Sequence, residues 1–97
     1  MRVYISGPMT GYEDYNRPAF MEAEKDLTDA GYEVFNPGAI IVDEDFNLKN
    51  IAIIDLVSLC ECDGIYMLDG WEQSKGARAE YAVAQWIGLR RVNLYDE

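Results

Sequence analysis

The chain of 97 residues contains no histidine and only two cysteines, Cys60 and Cys62, which are separated by a single residue. A structural zinc site normally takes four cysteine or histidine ligands, so this pair alone is an incomplete ligand set. The pair also lacks the C-x-x-C spacing that is typical of redox motifs. We therefore expect two reduced, partly buried thiols, no metal ion and no cofactor.

Basic residues are scarce as well, since 8 lysines and arginines stand against 18 acidic residues and give a formal net charge of −10. Such an acidic surface repels nucleic-acid polymers and anionic membranes, so we expect neither as a partner, while local groups can still hold a small anionic ligand. No apolar run approaches the roughly 20 residues that span a bilayer. Because Met1-Arg2 leads straight into a predicted strand rather than a signal peptide, we expect a cytoplasmic protein.

The apolar pattern predicts alternating strands and helices joined by short connections, which form one domain over residues 1–97. The predicted elements are a strand Arg2–Ser6, a helix from Asn16 to Gly31, a strand Tyr32–Phe35, a helix from about Asn47 to Cys60, a strand Gly64–Leu68, a helix from Ser74 to about Gly88 and a strand Arg91–Leu94. An acidic loop, Asp43–Asp45, precedes the second helix.

This βαβαβαβ alternation favours an α/β fold with a mostly parallel, doubly wound sheet that helices cover on both faces. With the strand order 2-1-3-4, the winding reverses between strands one and three, and a crevice forms at their carboxyl ends. The loop Gly7–Gly11 follows the first strand, and the segment Asp69–Glu80 follows the third. The topology therefore predicts that these two segments meet in one site.

The last predicted helix carries a carboxylate on the side that should pack inward. At 100° per residue, Glu80 lies at the centre of an apolar arc. The arc consists of Gly76, Ala77, Val83, Ala84 and Ile87. An unpaired buried carboxylate costs several kcal/mol, so such a residue is usually paired or functional. The alternative is a partly exposed Glu80 in a frayed first turn.

Asp55 repeats this pattern on the second predicted helix. It shares an arc with apolar residues, namely Leu48, Ile51, Ala52 and Leu59. Two carboxylates at one crevice suit glycosyl chemistry, in which one attacks or stabilises an oxocarbenium-like carbon and the other handles the proton of the leaving group. The alternative is a solvent-facing Asp55, because this helix is apolar nearly all round.

Several smaller features surround the predicted crevice. Gly7 and Gly11 allow the backbone to approach a ligand, although such a loop is also a simple turn. Ser74 and Gly76 open a helix whose free N–H groups can bind a phosphate or a sugar hydroxyl, and Ser74 also suits an N-cap. Trp71 can either stack on a base or be buried at a subunit contact.

Three segments occur in this order along the chain: Tyr4-Ile5-Ser6-Gly7-Pro8-Met9-Thr10-Gly11, then Asp55-Leu56 ahead of Cys62-Asp63, then Ser74-x-Gly-x-x-x-Glu80. Together they are similar to the nucleoside 2-deoxyribosyltransferase-like superfamily. The chain most resembles the short uncharacterised members and the 2'-deoxynucleoside 5'-monophosphate N-hydrolases of that superfamily. The resemblance implies a flavodoxin-like fold, a small nucleoside or nucleotide ligand, and a homodimer or larger homo-oligomer in which a neighbouring subunit closes the site.

The resemblance also implies a role for each matching residue. Glu80 would be the nucleophile that attacks the sugar C1', Tyr4 would hydrogen-bond and orient it, and Asp55 would assist protonation of the leaving base. Ser74 and Gly76 would bind the 5' end of the substrate. The remaining substrate-binding residues would be Gly7, Pro8, Met9, Thr10, Gly11 and Trp71.

The chain departs from the monophosphate hydrolases in the first loop, where they carry an arginine that binds phosphate and this chain has Pro8, Met9 and Thr10. Three basic residues can substitute for it, namely Arg17, Lys75 and Arg78. Two other interpretations stay open: a module that binds a nucleotide without cleaving it, and an assembly part whose carboxylates pair with arginines across an interface. The candidate arginines for such pairing are Arg17, Arg78 and Arg90.

Overall fold

The computed structural model describes residues 1–39 and 48–94, and within them four parallel strands form one sheet. The strands are β1 (Arg2–Ser6), β2 (Glu33–Phe35), β3 (Gly64–Met67) and β4 (Arg90–Arg91), and their order is β2-β1-β3-β4. The helices of 13 residues each are α1 (Arg17–Asp29), α2 (Leu48–Cys60) and α3 (Lys75–Ile87). The parallel sheet and its strand order confirm the predicted α/β architecture.

The first helix follows from its apolar spacing. Phe20, Ala23 and Leu27 are buried along one side of α1, and the chain leaves the helix at Gly31, whose φ of 97° suits glycine. Asn16 directly precedes the helix, as predicted, but its side chain does not cap it. The Asn16 amide instead donates a hydrogen bond to the carbonyl of Pro8 at 3.0 Å and so ties the first loop to the helix.

Three strands are shorter than predicted. Tyr32 lies outside β2 because its N–H donates to the carbonyl of Leu27 and closes the end of α1. β3 ends at Met67, although the N–H of Leu68 still donates to the carbonyl of Ser6. β4 covers only Arg90–Arg91, which pair with the first two residues of β3, rather than Arg91–Leu94. These differences concern strand ends and leave the sheet unchanged.

The sheet has a core on each face. Val3 and Ile5 of β1 pack on the α1 side with Phe20 and Leu27. The alternating residue Tyr4 packs on the opposite side. There Tyr4 belongs to a buried cluster with Leu59 of α2 and with Ala77 and Ala84 of α3. Helices therefore cover both faces, as predicted, and the even-numbered side chains of β1 point toward α2 and α3.

Two sequence predictions, the acidic loop Asp43–Asp45 and the helix start at Asn47, lie outside the described residues. Of the helices within the two described ranges, none has the length and apolar character needed to cross a bilayer.

Candidate active site

A cavity of about 560 Å³ lies at the carboxyl ends of β1 and β3, where the strand order predicted a crevice. Its volume falls within the range of small-molecule sites. Its walls come mainly from the loop after β1, the segment after β3 and one side of α2, and the start of α1 and the residues after β2 complete them. These walls include Gly7, Pro8, Met9 and Thr10, then Gly70, Gln73, Ser74, Lys75, Gly76, Ala77 and Glu80, and then Ile51, Ile54 and Asp55. Gly7, Pro8, Met9, Thr10, Ser74, Gly76, Asp55 and Glu80 are thus brought together at one cavity.

Helix α3 carries Glu80 to the cavity. Ser74 is the N-cap, and its Oγ accepts a hydrogen bond from the N–H of Ala77 at 3.1 Å. From that start the helical period turns Ala77 and Ala84 into the core, and Glu80 between them is partly buried. The predicted apolar arc is wrong at its two ends, because Gly76 and Ile87 are exposed.

Two buried hydroxyl groups hold the Glu80 carboxylate. Tyr4 donates its phenolic hydrogen to Oε2 at 2.5 Å, which is the hydrogen bond that the family resemblance implies. Ser6 donates to Oε1 at 2.6 Å, which the sequence reasoning missed. Both donors are fully buried on β1, and Tyr4 is stacked on Phe35 with ring centroids 5.5 Å apart. Strand alternation brings residues 4 and 6 to the same face, and that was the signal available for Ser6.

The surroundings raise the pKa of both carboxyl groups. Burial raises the pKa of Glu80 to about 7, the charge of Asp55 adds to this, and the hydrogen bonds from Ser6 and Tyr4 oppose it. Burial raises the pKa of Asp55 to about 6. Burial and the nearby Glu80 charge also raise the pKa of Tyr4, so its hydroxyl stays protonated and remains a donor. Two carboxyl groups that titrate near neutral pH at one cavity can serve as acid and base.

Asp55 reaches the cavity from α2. It is partly buried, as are Ile51 and Leu56, and Leu59 of its predicted arc is fully buried. The arc is wrong at Ala52, which is exposed. Three further apolar residues of this helix are at least half exposed, namely Ile53, Ile54 and Val57. The side chain of Leu48 lies outside the described residues.

Two predicted binding residues are not brought to the cavity as residues 1–39 and 48–94 define it. Trp71 instead packs edge-on against Tyr81, with ring centroids 4.9 Å apart, and the Arg91 guanidinium lies 5.7 Å from the Trp71 ring. Trp71 thereby joins α3 to the end of β4.

Gly11 has a φ of 86°, and no described atom lies within 4 Å of a Cβ placed on it, so it has the geometry of a turn.

Among the described residues, the cavity wall carries two basic side chains, Arg17 at the start of α1 and Lys75 at the start of α3. Arg17 is paired with Asp14 at 3.5 Å and lies over the ring of Tyr15. Of the three basic residues proposed from the sequence, Arg78 is absent from the wall formed by the described residues. Arg17 and Lys75 are therefore the side chains that can meet an anionic part of a ligand.

Aromatic residues that the sequence reasoning passed over also line the cavity, namely Tyr12, Tyr15 and Phe20. Tyr12 directly precedes a 3₁₀ turn, Glu13–Asn16, and Tyr15 lies within it; three successive non-glycine residues of this turn, Asp14, Tyr15 and Asn16, have positive φ. Such conformations are rare and cluster at functional sites. Asp14 and Asn16 are residue types that adopt positive φ more readily than most, whereas Tyr15 is not.

Residues 1–93 match the model of a family described as "Domain of unknown function (DUF4406)". Among solved structures, the chain is similar to the 2-deoxyribosyltransferase of the psychrotolerant bacterium Bacillus psychrosaccharolyticus. The two chains superpose with a TM-score of 0.72 at 19% sequence identity, over 94% of this chain and 69% of the other. No curated protein matches the sequence significantly. At that identity, the likeness establishes a shared fold.

Proposed function

The chain belongs to the DUF4406 family, and we propose that it cleaves or transfers at the N-glycosidic bond of 2'-deoxyribonucleosides or their 5'-monophosphates. The observation that carries this proposal is the position of the Glu80 carboxylate, which lines the cavity and accepts hydrogen bonds from the buried hydroxyl groups of Tyr4 and Ser6. The shared fold with a 2-deoxyribosyltransferase supports the same chemistry. The resemblance to the monophosphate N-hydrolases is the reason that 5'-monophosphates are included among the proposed substrates.

In the proposed first step, the ionised Glu80 attacks C1' of the deoxyribose. The C1'–N bond breaks, its electron pair goes to the base, and protonated Asp55 gives that base its proton. The product is a free base and a sugar esterified to Glu80. Tyr4 stays protonated throughout, because its pKa is raised, and keeps the carboxylate aimed at the cavity.

In the second step, water or a second base attacks C1' and releases Glu80. Asp55, now ionised, takes the proton that the incoming group loses, which restores both carboxyl groups to their starting forms. Water gives hydrolysis and a base gives transfer. The same two residues serve both outcomes, and access of water or base to the cavity decides between them.

The start of α3 suits the 5' end of the substrate. Ser74 and Glu80 are six positions apart, or about 9 Å along the helix axis. That length fits a sugar whose C1' lies at Glu80 while its 5' group lies near the free N–H groups of Lys75 and Gly76, where the helix dipole favours an anion. Arg17 and Lys75 on the cavity wall supply positive charge for a 5'-phosphate.

We also propose that the chain forms a homodimer or larger homo-oligomer. The exposed side of α2 carries Ile53, Ile54 and Val57, and Ile54 also lines the cavity. Contact between copies would remove this apolar surface from water next to the site. Light scattering coupled to size exclusion measures the assembly, and Ile53→Asp is expected to shift it toward monomer.

Incubation with a panel of deoxyribonucleosides and their 5'-monophosphates, with and without an acceptor base, tests the enzymatic proposal. We expect chromatography to detect free or exchanged base with the wild type and none with Glu80→Ala. Glu61→Gln, which changes an exposed glutamate, is the matched control. A 2'-fluoro-substituted substrate should accumulate a sugar ester that mass spectrometry locates on Glu80. Full recovery of every ligand, with tight binding, would instead favour a binding module.

A further inference from the structure

Ser6 is a fully buried serine that donates its hydrogen bond to a carboxylate 74 positions along the chain. Its Oγ lies 2.6 Å from Oε1 of Glu80, while the Tyr4 hydroxyl lies 2.5 Å from Oε2. Each oxygen of this carboxylate therefore accepts one hydrogen bond from β1. A hydroxyl with a single hydrogen can donate only once, so Ser6 commits its donor to Glu80.

We propose that Ser6 is a positioning residue for Glu80, and that its hydroxyl holds the carboxylate in one orientation toward the cavity together with the hydroxyl of Tyr4. This inference rests on the proposed role of Glu80 as the nucleophile. The terminal torsion of a glutamate has a broad distribution, so a carboxylate that is held at only one oxygen can turn about its last bond. A second donor removes that freedom.

The position of the two donors in the sheet makes them rigid. β1 is paired on both sides, with Tyr4 opposite Phe35 of β2 and Ile65 of β3, and with Ser6 opposite Met67. The carbonyl of Ser6 also accepts the N–H of Leu68. Because donors on a central strand cannot shift without breaking these ladders, they fix the carboxylate before a ligand arrives.

The charges around Glu80 show what Ser6 does besides positioning. Burial and the nearby Asp55 of α2 raise the pKa of Glu80, and the hydrogen bond from Ser6 opposes them more strongly than that from Tyr4. Arg17 of α1 and Lys75 of α3 line the same cavity and carry positive charge. Loss of the Ser6 hydroxyl should therefore make Glu80 harder to ionise, because a charge-assisted hydrogen bond favours the charged form.

If the Ser6 hydroxyl only satisfied its own hydrogen-bonding requirement, its removal would change the stability of the folded protein and nothing else. A positioning residue must also change the titration and the turnover of Glu80. The informative variants are Ser6→Ala, which removes the donor, and Ser6→Cys, which keeps a similar shape with a weaker donor. Ser6→Thr keeps the hydroxyl, and Ser58→Ala on α2 is the control for the loss of a serine hydroxyl elsewhere.

The experiment follows the Glu80 carboxyl by ¹³C NMR between pH 4 and pH 9 and measures kcat and KM over the same range. In Ser6→Ala we expect the Glu80 midpoint to rise by about one pH unit and kcat at pH 6 to fall about tenfold, with KM little changed. Ser6→Cys should lie between Ser6→Ala and the wild type. Ser6→Thr should restore the wild-type midpoint, and Ser58→Ala should match the wild type.

An unchanged midpoint and pH profile in Ser6→Ala would overturn this inference, and so would an unchanged midpoint in Ser6→Cys if Ser6→Ala does not fold. The NMR titration requires no substrate and therefore separates this inference from the proposed function. If the Glu80 midpoint rises in Ser6→Ala but the wild type turns over no substrate, the positioning of Glu80 by Ser6 is supported and the enzymatic role is overturned.

Discussion

Asp55 of α2 and Glu80 of α3 line one cavity, and the pKa of Glu80 is raised mainly by burial and further by the negative charge of Asp55. Burial contributes to both groups and raises the pKa of Glu80 to about 7 and that of Asp55 to about 6. The proposed reaction begins with Glu80 ionised and Asp55 protonated. Each carboxyl group therefore limits turnover on one side of neutral pH.

The dependence of kcat/KM on pH is expected to be bell-shaped, with a maximum between pH 6 and pH 7. The active form has Glu80 ionised below its pKa of about 7 and Asp55 protonated above its pKa of about 6, so it is a minor fraction of the protein, and the observed activity rises near pH 6 and falls near pH 7. Initial rates of base release in buffers of constant ionic strength measure the profile. Rates that do not change between pH 5 and pH 8 would contradict both assignments.

Asp55→Asn should remove the high-pH limb of this profile. The amide cannot give a proton to the leaving base, so kcat should fall by roughly 10²- to 10⁴-fold. The low-pH limb should remain and report the pKa of Glu80 directly, and that pKa should lie below its wild-type value of about 7 because the Asp55 charge no longer raises it. A variant that keeps both limbs would show that another group protonates the base.

Folding stability should fall as the pH rises from about 4.5, the ordinary value for glutamate, to the folded-state pKa of Glu80 near 7. Over that interval the unfolded chain ionises Glu80 readily and the folded protein does not. Glu80→Gln lacks this penalty, so it should match the wild type at pH 4.5 and exceed it at pH 8 by on the order of 2 kcal/mol, or roughly 10 °C in Tm.

Thermal unfolding at the two pH values tests this prediction, with Glu61→Gln as the control for losing one exposed negative charge. The comparison between variants cancels the general repulsion within a chain of net charge −10. A Glu80→Gln variant that is less stable than the wild type at pH 8 would instead support the interpretation of Glu80 as a structural residue.

The sheet order and the inward Glu80 could be predicted because both depend on regular spacing. Short βα connections with right-handed crossovers leave few arrangements of four parallel strands, and the helical period alone places Glu80 between Ala77 and Ala84. The same reasoning was less accurate at strand ends. Tyrosine is common in strands, so Tyr32 was predicted to belong to the second strand. Its N–H instead donates a hydrogen bond to the carbonyl of Leu27 and closes the preceding helix.

Contacts between distant segments could not be predicted in this way. Ser6 could be placed on the same face as Tyr4, but no local pattern says that a helix residue 74 positions later would meet it. The direction of Trp71 depends on a 3₁₀ turn and on Arg91, twenty positions further along. The choice among Arg17, Lys75 and Arg78 likewise depends on which helix starts face the cavity.

Arg17 is expected to set the preference for a 5'-phosphate. Arg17→Gln should raise KM for deoxynucleoside monophosphates about 10- to 100-fold, as the loss of a charged hydrogen bond to phosphate requires, and leave KM for the unphosphorylated nucleosides unchanged. Arg78→Gln removes the same charge outside the cavity wall and is the matched control. Equal effects of Arg17→Gln on both substrate classes would contradict a role in phosphate recognition.

Gly7 is expected to tolerate no side chain, because a Cβ placed on it would lie 2.7 Å from the Cβ of Leu68. Gly7→Ala should therefore destabilise the fold by about 1–3 kcal/mol through overpacking between the ends of β1 and β3. Gly76→Ala is the control, since the nearest atom to its added Cβ is the Ser74 Oγ at 4.0 Å. Alanine inside a helix should leave stability equal or raise it by about 0.5–1 kcal/mol.

Urea unfolding of the double variant Gly7→Ala/Leu68→Gly identifies the cause of the Gly7 effect. If the clash with Leu68 is responsible, the double variant should be more stable than the sum of the two single losses predicts by at least about 0.5 kcal/mol, since glycine at position 68 removes every Leu68 side-chain atom, Cβ included, that the new methyl would meet. Additive losses would mean that Gly7 is required for another reason. The loop that follows Gly7 lines the cavity, so a displaced β1 end should also raise KM in Gly7→Ala.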